Sequence, residues 1–146
     1  MRNIVVVLLV LLISCSGAEK NSPEEQVRQT IESIKSHAEN RSLSELMDHV
    51  SEQYNDHQGK DKTQIKRMIQ LLFLRNQNIH IFSRIQSIDI QENVAAVEIS
   101  AAMASQATNL SNQNWIKANT FHFSVLLKNA DNDSEWKVDS VSWRRG

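Results

Sequence analysis

The sequence predicts an α+β domain in which three N-terminal helices pack on a strongly bent antiparallel sheet of four or more strands. Three observations carry this expectation. Apolar residues recur at helical spacing through the first half of the chain and alternate through most of the second. Capping residues open the helical segments, and turns rich in Asn and Asp separate the extended ones. Two of the extended segments change phase midway, the mark of bulges that bend a sheet.

The first helix starts at Ser22-Pro23-Glu24-Glu25. Ser22 caps, Pro23 takes the first helical position, where its missing N–H costs nothing, and Glu25 can reach back to complete a capping box. Val27, Ile31, Ile34 and Ala38 then form one apolar stripe. Ser42-Leu43-Ser44-Glu45 reads as a second box, opening a short helix whose apolar side is Leu43, Leu46, Met47 and Val50. Residues 54–60 break the periodicity and include Gly59. Asp61 caps a third helix, in which Ile65, Met68, Ile69, Leu72 and Phe73 follow the i, i+3, i+4, i+7, i+8 pattern of a buried face.

Ile79, Ile81, Ser83 and Ile85 alternate, and Ile88 and Ile90 continue on the opposite parity, which places a bulge near Gln86-Ser87. Gln91-Glu92-Asn93 is a turn. Val97, Ile99, Ala101 and Met103 mark the inward side of the next strand, and a polar loop over residues 105–114 leads to a strand over 115–128. A turn over 129–134 precedes the last strand, 136–143, which changes parity between Val138 and Val141. Phe121, Phe123 and Trp136 read as core, and Trp143, beside Arg144-Arg145, as a rim residue. Strands in succession joined by turns make an antiparallel sheet.

The chain begins with Arg2 and an apolar run over residues 4–13, closing in Leu12-Ile13-Ser14-Cys15. Charge, a short apolar run and a small residue before the only cysteine resemble a bacterial lipoprotein signal peptide with its lipobox. Ten apolar residues make a helix of roughly 15 Å, half the hydrocarbon thickness. The resemblance implies cleavage after Ser14, a lipid on Cys15, a tether over residues 15–22 and one domain over 23–146. Ser16 after the cysteine resembles the signal for the outer membrane, with the domain facing the periplasm. An ordinary secretory peptide is the alternative. Lipidation accounts for the single cysteine, which a secreted chain would otherwise carry as a reactive thiol.

The whole chain has 16 Lys plus Arg against 17 Asp plus Glu. Cleavage removes only Arg2, leaving 15 against 17, a balance with no electrostatic footprint for nucleic acid. Three Gly and one Pro exclude a low-complexity chain. About 132 residues suffice for one core and hardly for two.

The order helix, helix, short extended segment, helix, four strands resembles the nuclear transport factor 2-like superfamily, which includes polyketide cyclases of the SnoaL type. The helix over residues 24–38, Tyr54-Asn55-Asp56-His57-Gln58-Gly59 and Trp136-Lys137-Val138-Asp139-Ser140-Val141-Ser142-Trp143 carry the resemblance. It implies a cone, with a bent sheet around the helices and a cavity at the open end, where enzymes of the superfamily place Asp, His and Tyr.

Tyr54, Asp56 and His57 are therefore the candidate cavity residues, with Trp143 at the rim. Adjacent residues on extended chain face opposite sides, so Asp56 and His57 are not expected to act as a pair. A structural reading stands beside the catalytic one: Asn55, Asp56 and Gly59 are turn formers, and an aspartate there has an easy route to solvent. The five histidines lack metal-ligand spacing, and His80 and His122 face away from the apolar side of their strands. Asp131, Asp133 and Glu135 lack the pattern of a calcium loop. No nucleotide loop or nucleophile elbow is present, so no cofactor or metal is expected. The expected activity is binding of a small ligand or an envelope protein, with a cyclase, isomerase or dehydratase as the alternative. The expected membrane contact is through the lipid on Cys15.

Overall fold

The computed structural model describes residues 22–106, 112–113, 119–131 and 135–146. Cys15, Trp115 and Asp133 therefore lie outside the described residues. Three helices, α1 (Pro23–Glu39), α2 (Leu43–Asp48) and α3 (Lys62–Arg75), precede four strands, β1 (His80–Gln91), β2 (Val94–Ala104), β3 (Phe121–Lys128) and β4 (Lys137–Arg145). The strands form one antiparallel meander in the order β1-β2-β3-β4. β3 starts at Phe121, since Asn119 and Thr120 are turn and coil.

Local chemistry sets the helix ends. Ser22 Oγ accepts from Glu25 N (3.2 Å). Asp61 and Gln64 form a reciprocal capping box, each side chain accepting from the other residue's backbone. Ser42 makes no side-chain cap at α2, contrary to the box expected there. Its backbone N–H instead reaches His37 O (2.8 Å) while Arg41 N donates to Ala38 O, a Schellman closure of α1. Arg41 stands where glycine is usual, at φ 58°. Its guanidinium explains the choice, donating to Phe73 O at the end of α3 (2.9 Å).

The bulges fall where the phase changes placed them. Register slips between Ile85 and Ser87 in β1, and Asp139 is the extra residue of β4, since Leu126 pairs with Ser140 and Leu127 with Val138. Across the sheet, Ile85, Ile99, Phe123 and Trp143 occupy one row, and Ala95, Leu127 and Val138 another, so these side chains share the inner face. Val27, Ile31, Leu46, Met47, Val50, Tyr54, Ile65 and Phe73 cover that face from the helical side. Trp136 joins this core and donates from Nε1 to Gln26 Oε1 (3.2 Å). Glu39 Oε1 accepts from Ile81 N (2.7 Å), fastening the end of α1 to the edge strand.

Burial departs from the expected pattern in three places. Along α3 only Ile65 and Phe73 are buried and Ile69 is half-buried. Met68 and Leu72 are exposed, with Leu71 and Leu74. The helix packs against α2 and meets the core along a narrower line than its apolar stripe. Met103 is exposed while Ala102 and Ala104 are buried, reversing the end of β2. Phe121, the first residue of β3, is 38% exposed, contrary to the core position expected for it.

Candidate functional site

Residues 50–57 run beside β4. Val138 N donates to His49 O and Ser51 N to Val138 O, making a parallel bridge between Val50 and Val138. Asn55 N then donates to Asp139 O (3.1 Å) and His57 N to Val141 O (3.2 Å). The bulge at Asp139 thus presents a carbonyl to the incoming segment, and Lys128 Nζ holds the Asp139 carboxylate on the other side (2.6 Å). Tertiary pairing therefore makes residues 50–57 an irregular extra edge of the sheet.

Burial separates the candidate residues along this edge. Tyr54 and Asp56 are 4% and 5% exposed, whereas His57 is exposed. Asp56 has no route to solvent, contrary to the expectation for a turn aspartate. Its Oδ1 accepts from Gln58 N (2.8 Å) and Lys60 N (2.9 Å), and Asp56 O accepts from Gly59 N. Gly59, at φ 75°, closes this turn and delivers the chain to the Asp61 cap. Asp56 Oδ2 is buried without a hydrogen-bond partner. Burial, reinforced by the Asp56 charge, pushes the Tyr54 hydroxyl up to about 12.

His57 meets Trp143 edge to face, with ring centroids 4.2 Å apart at 89°. Trp143 pairs across the sheet with Phe123, and Phe123 lies 6.4 Å from Phe121. His57, Trp143, Phe123 and Phe121 thus form an aromatic ledge that runs from the 50–57 edge to the start of β3. Arg145 lies opposite Phe121 in the register. The contact between His57 and Trp143 joins residues far apart in sequence, and the edge position of residues 50–57 makes it possible. The ledge offers π faces and apolar edges to a planar or aliphatic ligand.

Other features fall elsewhere. His122 lies on the outer face against Ser100 Oγ (2.9 Å), and His37 stacks on His49. Among the described residues, no three His, Cys, Asp or Glu converge as metal ligands. A shallow depression of about 440 Å³, lined by Asp89, Gln91, Glu92, Val94 and Ala96, sits at the β1–β2 hairpin, the opposite end of the sheet from Trp143.

No protein-family profile matches the sequence, and no curated protein matches it. Solved structures do match the fold. A candidate dehydratase of the NTF2-like family from Streptomyces avermitilis superposes with a TM-score of 0.66 at 12% identity, over 85% of this chain and 96% of that one. A candidate scytalone dehydratase from Novosphingobium aromaticivorans gives 0.64 at 12% identity, over 84% and 83%. Bd1075 of Bdellovibrio bacteriovorus gives 0.67 at 10% identity. The match covers 84% of this chain but only 40% of that one. The domain therefore has the NTF2-like fold: helices on a curved four-stranded antiparallel sheet. At these identities the likeness concerns the fold alone.

Proposed function

We propose that this chain is a lipid-anchored envelope protein whose NTF2-like domain binds a small apolar ligand, with no catalysis of its own. One observation carries the binding reading: the acid–base residues divide by burial. Asp56 is occupied in the 56–60 turn, Tyr54 lies sealed beside it, and His57 is exposed against Trp143. An acid and base that share no substrate position cannot exchange protons with one reacting group. What stays accessible is the aromatic ledge, with His57 and Phe121 exposed.

The enzymatic alternative rests on Tyr54, Asp56 or His57, of which Tyr54 has the hydroxyl held up by burial. The burial of Tyr54 and Asp56 keeps them from the ledge. The anchor rests on the lipobox at Leu12-Ile13-Ser14-Cys15 and on the single cysteine.

Both parts are testable. In a fluorescence titration with anilinonaphthalene sulfonate, Trp143→Ala is expected to weaken binding at least ten-fold. Asp56→Asn, away from the ledge, is expected to leave it within a few-fold. Equal binding by parent and Trp143→Ala would remove the ledge as the site. For the anchor, Cys15→Ser is expected to abolish fatty-acid labelling in cells, and equal labelling of both would refute it.

A further inference from the structure

The α3 helix carries Lys62, Lys66, Arg67 and Arg75 and no acidic residue. Lys62 pairs with Glu52 (2.6 Å). Among the described residues, Lys66, Arg67 and Arg75 have no ion pair. Arg67, Leu71 and Leu74 follow i, i+4, i+7 and share the side of α3 opposite Ile65 and Phe73, with Arg75 one turn beyond Leu71. Leu74 is 70% exposed and Leu71 53%, and Met68 and Leu72 flank them. Leucines bracketed by unpaired cations on one outward helix face match a lipid surface in two ways. The apolar side chains enter the acyl boundary, and the cations meet anionic headgroups.

We propose that the outward face of α3 docks on an anionic membrane surface, as a second contact beside the lipid on Cys15. The proposal rests on the anchored reading for its setting. No described helix is long and apolar enough to cross a membrane, so α3 would lie along the surface. The chain from Cys15 to Ser22 can reach at most roughly 27 Å. The 17 residues of α1 then span about 25 Å. Arg41, just past the end of α1, donates to Phe73 O near the end of α3, so that end of α3 lies far along α1 from the tether. Lipid at one end of α1 and α3 at the other would hold the domain at two points. Tethering makes the second contact intramolecular, so a weak patch suffices.

The test uses residues 15–146 with Cys15→Ser, a palmitoyl chain on the N-terminal amine as the tether, and a spin label on Leu74→Cys. It is anchored on vesicles of phosphatidylcholine alone or of an equimolar mixture with phosphatidylglycerol. The label is expected to show the oxygen accessibility of the acyl boundary on the anionic vesicles only. Arg67→Gln with Arg75→Gln is expected to weaken that partition by roughly 30-fold, from the two lost headgroup attractions. A label that stays in water on both vesicles overturns the proposal. So does one immobilised without lipid in a concentration-dependent way, which would make a second copy of the chain the occupant. A second label on Leu71→Cys guards against a local effect at position 74. Loss of the anchored reading would appear separately, as unchanged fatty-acid labelling of Cys15→Ser.

Discussion

Tyr54 is the chain's only tyrosine, so a phenolate titration of the folded protein reports one group. Its hydroxyl is pushed from 10 up to about 12, chiefly by burial and secondarily by Asp56. The folded state therefore prefers the neutral phenol. The folded value lies above the unfolded one, so this contribution is complete below pH 10 and is lost as pH rises from 10 through 12. Asp56→Asn tests the ranking of the causes. It keeps the Oδ1 that accepts from Gln58 and Lys60 and removes the carboxylate charge beside the phenol. Because burial is the larger cause, the midpoint should fall by less than half of the shift, remaining above about 11. Ultraviolet absorbance of the phenolate gives the midpoint, with circular dichroism on the same samples confirming that the protein is folded. A parent midpoint near 10 in folded protein would refute the burial of Tyr54. A fall to about 10 in Asp56→Asn would show that charge, not burial, controls the group.

Leu127→Ala is expected to cost about 2–5 kcal/mol, since the side chain is fully buried against Ala95 and Val138. Leu72→Ala, at a position 36% exposed, is expected to cost about 1 kcal/mol. Urea unfolding of both variants checks the contrast, and equal losses would mean that α3 is buried as its stripe suggested. His49 is held below its usual range by burial, then by the charges of His37 and Lys137. Its unfolded form therefore binds a proton first, and stability should decline as pH falls through and below 6.5. The urea midpoint against pH should show this decline, and His49→Gln should flatten it.

The sequence by itself determined the elements and their order. The Asp61 cap, the bulge after Ile85 and the phase change in β4 were all legible, because each depends on neighbours within a few residues. Tertiary structure decided how far each apolar face is covered. Helical periodicity shows which side of α3 is apolar, but the narrow packing line that buries Ile65 and Phe73 and leaves Leu71 and Leu74 in solvent belongs to the arrangement of α2 and the core. The same limit applies to Phe121, which alternates like a core residue yet is 38% exposed. Asp56 reads as a solvated turn residue and is buried, because residues 50–57 pair with β4 through a carbonyl that the Asp139 bulge turns outward. The ledge of His57 on Trp143 has the same origin. Its two halves meet only through sheet register, a long-range property that no local pattern encodes.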